Sequence, residues 1–183
     1  MTNTTFFFVI LLFATPYNMV SAQKLEAVPP ATQSEFQKNY EERIKQAKLS
    51  GQYIPKDIFD AFSELTRLTD TTSRLRFKSA TEYEVEHTLY FSLGRWICTN
   101  WGLYEGSRIG QYLRESGVSF PEDQAITILI CWHRKLNGKD IGFKQVKERF
   151  AAKRKKERED RIKKMPVIKE EIKKPTTNTV KTN

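Results

Sequence analysis

The chain is poor in the residues from which metal centres and nucleophilic sites are built. Its 183 residues hold two cysteines, Cys98 and Cys131, and two histidines, His87 and His133. None of these form the close pairs of a zinc site, so no metal is expected. There is no Gly-x-Ser-x-Gly, no His-Glu-x-x-His and no glycine-rich phosphate loop. No catalytic pattern is complete, and no cofactor is expected. Long apolar runs are missing too. Phe6 to Ala14 is unbroken for nine residues, well short of the roughly 20 that cross a bilayer. No later run is long enough to span, and no internal repeat is visible.

That one apolar run marks the first 22 residues as a secretory signal peptide. Pro16 breaks the run, and Val20-Ser21-Ala22 offers small residues for cleavage between Ala22 and Gln23. No cysteine follows, so a lipoprotein anchor is not indicated. The expected location is periplasmic or extracellular.

Charge is concentrated at the other end. Residues 53–150 hold 14 Lys/Arg against 13 Asp/Glu, whereas residues 151–183 hold 12 against five. Of the formal net charge of +9, the tail therefore carries +7. A core that is nearly neutral gives no argument for nucleic-acid binding by the core. The tail is rich in helix formers up to Pro166, then in Lys, Thr and Asn, a composition that favours disorder. It is either a solvated extension or an electrostatic contact with an anionic surface or nucleic acid.

Between these ends the pattern is helical. Residues 23–52 read as a spacer with one polar helix, opened by a Ser34-x-x-Gln37 capping box and carrying Phe36, Tyr40 and Ile44 as a narrow apolar stripe. Residues 53–150 read as a single all-α domain, a small bundle of about five helices. The first begins at Pro55, with Ile58, Phe62, Leu65 and Leu68 at helical spacing. The second is capped by Ser79-x-x-Glu82 and runs on through Trp96. A short helix runs from Ser107 to Ser116 and closes at Gly117. Ser119-x-x-Glu122 opens a central helix over the β-branched run 125–132, which ends at Asn137-Gly138. Asp140 caps the last, with Phe143, Val146 and Phe150 on its apolar side.

The densest segment is 94–108, with two of three tryptophans and three of eight glycines. Trp96, Asn100, Trp101, Tyr104, Glu105, Arg108 and the more distant His133 are its candidate binding residues, since hot spots favour Trp, Tyr and Arg. The alternative is core packing, with the glycines allowing close backbone approach. A convergence of Trp101, Arg108 and His133 would make a small-ligand pocket or hydrolase-like site. Glu105 is the only carboxylate in the segment, so two-carboxylate chemistry lacks its partner.

Cys98 and Cys131 are either a disulfide or two buried thiols. Bridged, their loop would stabilise by about 3 to 4 kcal/mol. Cys131 and His133 are two apart on a helix and point about 200° apart, which rules out a nucleophile–base pair. Glu84-x-x-His87 has the spacing of a di-metal bundle ligand pair, but the second such motif is missing.

The segment Gly94-Arg95-Trp96-Ile97, Asn100-Trp101-Gly102-Leu103-Tyr104, the turn Gly117 to Asp123, and His133-Arg134-Lys135-Leu136-Asn137-Gly138 together resemble an uncharacterised helical domain of small bacterial proteins. The resemblance extends upstream to Tyr53-Ile54-Pro55. The chain departs from that pattern at Cys98-Thr99 and at Tyr104. The family implies a fold and a boundary and no activity. The function expected from the residues is therefore an exported interaction module that recognises a protein or envelope component through segment 94–108.

Overall fold

A computed structural model describes residues 31–165. The expected signal peptide, its Ala22–Gln23 cleavage point and the segment after Pro166 lie outside the described residues. Within them the fold is all-α, as expected, with eight helices and one minimal hairpin.

The first helix, α1 (Gln33–Arg43), is capped two residues earlier than the Ser34 box implies. Thr32 caps it, accepting from the Glu35 amide, while the Glu35 carboxylate accepts from the Ala31 amide. Two residues hold α1 down. Tyr40 hydrogen-bonds Gln111 and lays its ring on Gly106, and Arg43 donates to the Gly106 carbonyl at 3.2 Å. Gly106 sits at φ 95°, and a side chain there would collide with the Tyr40 ring. Only glycine meets both demands.

The chain then forms a hairpin that the sequence pattern does not announce. β1 (Lys48–Leu49) pairs antiparallel with β2 (Gln52–Tyr53). Ser50 and Gly51 both have positive φ, the mirror-image turn that suits strand twist. Its inward residue, Leu49, is buried.

α2 (Ile58–Leu68) is capped by Asp57 rather than opened by Pro55. Ile58, Ala61, Phe62 and Leu65 fill one buried stripe, whereas Leu68 is exposed. α3 (Thr71–Ser79) is an addition to the expected helices. Asp70 caps it, and only Phe77 is buried. α4 (Glu82–His87) opens at a capping box formed by Thr81 and Glu84, not by Ser79 and Glu82. Glu82 is engaged elsewhere, in a bidentate pair with Arg134 of a later helix at 2.7 and 2.8 Å. That guanidinium holds the Glu82 carboxyl below its ordinary range. The expected single helix from 82 to Trp96 is broken by a 3-10 turn, Leu89–Phe91, before α5 (Leu93–Asn100) resumes.

α6 (Arg108–Glu115) follows a Ser107 cap, as its sequence implies. α7 (Pro121–Leu136) is the axis of the domain. Eleven consecutive residues, Asp123 to His133, are buried, so helices surround it on all sides. That placement explains its β-branched composition. Its N-cap is Phe120 with no side-chain bond, so Pro121, not a Ser119 box, sets its start. α8 (Phe143–Lys164) begins at Gly142. Asp140 bonds the Gly142 amide in the preceding turn and does not cap the helix. Val146 and Phe150 bury against the core. The helix does not pause at 150. Arg154 reaches back to Asp123 with contacts of 2.6 and 2.8 Å. None of the described helices is long and apolar enough to cross a membrane.

Candidate functional site

Segment 94–108 is built around the end of α5. Trp101 follows the helix, with its amide still bonded to Ile97. Gly102, at φ 62°, then turns the chain so that the Leu103 amide reaches the Cys98 carbonyl at 2.9 Å. This turn drives Trp101 and Leu103 inward, and each is 1% exposed. Trp96 is half-buried and meets Trp101 edge to face at 6.2 Å. Asn100 caps back onto the Trp96 carbonyl at 2.9 Å. The rings with access to solvent reduce to Tyr104, 53% exposed, and part of Trp96.

The charged candidates separate. Glu105 pairs with Arg43 of α1 at 2.8 Å. Arg108 donates to the Ile54 carbonyl at 2.5 Å, lies 5.0 Å from the Tyr53 ring centre, and sits 4.0 Å from Asp60. Tyr53 in turn donates to Asp60 at 2.8 Å, and that bond raises its phenol above the ordinary range. Arg108 therefore ties α6 to the hairpin and to α2. His133 lies elsewhere, 4% exposed, with Nε2 2.8 Å from the Ala80 carbonyl. That contact assigns the proton to Nε2 and leaves buried Nδ1 without a partner. No hydrogen bond or ion pair among the described residues joins Arg108 to His133, and Trp101, Arg108 and His133 are each engaged by a different element.

Cys98 and Cys131 are free and fully buried, not bridged. Burial pushes the Cys98 thiol up to about 11 and the Cys131 thiol up to about 12. Buried and with raised pKa values, both thiols lack the exposed, easily ionised character of reactive cysteines. Alkylation at pH 8 should therefore be negligible for the native protein and complete for both thiols in guanidinium. Rapid native labelling, followed by mass spectrometry, would contradict this burial. Glu84 and His87, spaced like metal ligands, are spent on α4 itself. Glu84 serves the capping box, and His87 bonds the Tyr83 carbonyl while stacking on the Tyr83 ring.

The concavity that the structure does present has no counterpart in the sequence motifs. A cavity of about 610 Å³ opens between α3, α4, the 3-10 turn and α7. Phe77, Leu89, Leu93 and Trp132 give it an apolar floor, with Phe77 and Trp132 rings 4.6 Å apart. Ser73, Arg76, Phe77 and Ala80 face it from α3, the i, i+3, i+4, i+7 stripe of one helical side. Trp132 also lines a second cavity of about 370 Å³ on its α2 side, and its buried indole N–H has no acceptor. The one local clue is Asp70-x-x-Ser73, a helix start ahead of α3.

Comparison with known proteins agrees with the resemblance noted in the sequence and adds no activity. No curated protein and no solved structure matches the chain. Residues 54–136, from the strand-to-α2 junction to the last turn of α7, match the family model described as a domain of unknown function (DUF6794).

Proposed function

We propose that this chain is an exported helical binding module whose ligand occupies the cavity over Trp132 and Phe77. The observation that carries this reading is the cavity itself. It has the volume, the aromatic and aliphatic floor and the sparse polar rim of ligand sites in general. Segment 94–108 is the first choice from sequence, but its largest ring is in the core. On this reading its role is to hold the domain together, with Tyr104 as a peripheral contact.

The test is a fragment screen on the isotope-labelled chain from residue 23, read by the Trp132 indole signal. Fragments that bind should shift that signal and the amides of α3 and of Leu89 to Leu93. A Ser92→Trp variant, which puts a ring at the exposed cavity mouth, should abolish those shifts. Hits that perturb Tyr104 and its neighbours instead would return the site to segment 94–108. The absence of saturable shifts anywhere would end the small-ligand reading.

A second reading concerns α8. Every described residue from Arg158 onward is exposed, and the helix carries its cations away from the core. We infer a weak electrostatic contact with anionic surfaces. Retention on anionic vesicles should fall steeply with salt, and should vanish when Lys155, Lys156, Arg158, Arg161, Lys163 and Lys164 are neutralised together. Salt-independent retention would contradict it.

A further inference from the structure

The cavity over Trp132 has a chemistry that selects among ligands, and the ligand class it selects rests on the proposed site. Its hydroxyls are mostly committed to the protein. Thr69 donates to the Leu65 carbonyl, Ser73 to Asp70, Ser79 to the Arg76 carbonyl and Ser92 to the Leu89 carbonyl. A sugar or other polyol needs several uncommitted donors, and here most hydroxyl donors are already used.

Two charged side chains line the cavity, Arg76 and Glu84. Glu84 is engaged. Its Oε2 accepts from the Thr81 amide and hydroxyl at 2.7 and 2.9 Å, these bonds hold the carboxyl below its ordinary range, and they turn that oxygen toward the α4 cap. Arg76 is not. Its guanidinium makes no hydrogen bond or ion pair among the described residues. Arg95, Arg158 and Arg161 are likewise unpaired among the described residues, but Arg76 is the arginine that lines the cavity. The Thr88 hydroxyl, which also lines the cavity, donates to no group of the protein among the described residues, so the free polar groups there are the Arg76 fork, the Thr88 hydroxyl and the second oxygen of Glu84.

A free guanidinium above an apolar floor asks for an anion with a hydrocarbon body. We propose that the site takes an anionic amphiphile, a carboxylate or phosphate head held by Arg76 and Thr88 with its apolar body on Phe77, Leu89, Leu93 and Trp132. The guanidinium fork matches either head bidentately, and each such bond is charge-assisted. The apolar body supplies the burial that the head alone lacks.

The experiment titrates the labelled chain from residue 23 with decanoate, monodecyl phosphate, decanol and acetate, each below its micelle concentration. Both anionic decyl compounds should shift the Trp132 indole signal and bind about tenfold or more tighter than decanol. Acetate, a head without a body, should give no saturable shift. Arg76→Gln should erase the preference over decanol. Arg76 is exposed and makes no hydrogen bond or ion pair among the described residues, so that variant should fold normally. The stronger of the two anions identifies the head. Equal binding of decanoate, monodecyl phosphate and decanol to the unmodified chain would overturn the anion assignment, as would a preference that survives Arg76→Gln. Either result leaves the cavity standing as a site. If no decyl compound shifts the Trp132 signal, the cavity reading falls together with the ligand class.

Discussion

Replacing Arg154 with Met should destabilise the protein by about 3 to 5 kcal/mol, although residue 154 lies in what composition alone would assign to a solvated tail. Its partner Asp123 is 2% exposed, and both carboxylate oxygens receive the guanidinium, at 2.6 and 2.8 Å. That bidentate pair raises the Arg154 guanidinium above its ordinary range. Removing the cation leaves a buried carboxylate with no counter-charge, and the penalty is the desolvation of that orphan rather than the worth of the pair. Asp123 lies in the first turn of α7, where the helix dipole offsets part of the cost, which places the effect toward the lower end. Arg154 also covers the Phe120 ring at 4.2 Å, so packing is lost with the charge. Urea unfolding measures the loss. A double variant, Asp123→Asn with Arg154→Met, should cost clearly less than the sum of its parts. A change under about 1 kcal/mol for Arg154→Met would show that water reaches Asp123. The same logic warns against trimming the chain at residue 150, since that cut removes Arg154.

Trp101→Ala should cost about 3 to 5 kcal/mol. The indole is 1% exposed and meets Trp96 edge to face, so truncation leaves a void and strips a ring contact. If Trp101 were instead a recognition residue, the variant would keep its stability and lose only a partner. Chemical denaturation distinguishes the two without knowing any ligand. A loss below about 1 kcal/mol would make Trp101 a binding residue again.

The sequence is legible where local signals and burial agree. α7 has a proline at its start, Asn137-Gly138 after it and an apolar run between, and its burial on all sides accounts for the missing amphipathic stripe. α6 carries its own Ser107 cap and a closing Gly117, at φ 100°. Legibility fails where a distant contact chooses between two local options. Ser79-x-x-Glu82 and Thr81-x-x-Glu84 overlap, and both are valid boxes. Glu82 is captured by Arg134, 52 residues on, and so the box goes to Glu84. α3 escapes notice because one buried ring, Phe77, holds it, too little for a periodic signal. The candidate binding residues disperse for a related reason. Trp101, Arg108 and His133 are each satisfied by different elements. The cavity is assembled from single residues on several segments, and no short motif announces such a place.

The continuity of α8 past Arg154 has a geometric consequence. A helix rises about 1.5 Å per residue, so the stretch from Lys155 to Lys164 carries its cations about 15 Å beyond the anchor. A floppy tail of the same composition would sweep its charges through every direction, and each contact would cost the entropy of stopping it. A helical arm pinned at Arg154 holds a fixed bearing to the domain. An anionic surface that met the arm would therefore meet the domain in one orientation, with standoff and tilt set by the length and bearing of α8.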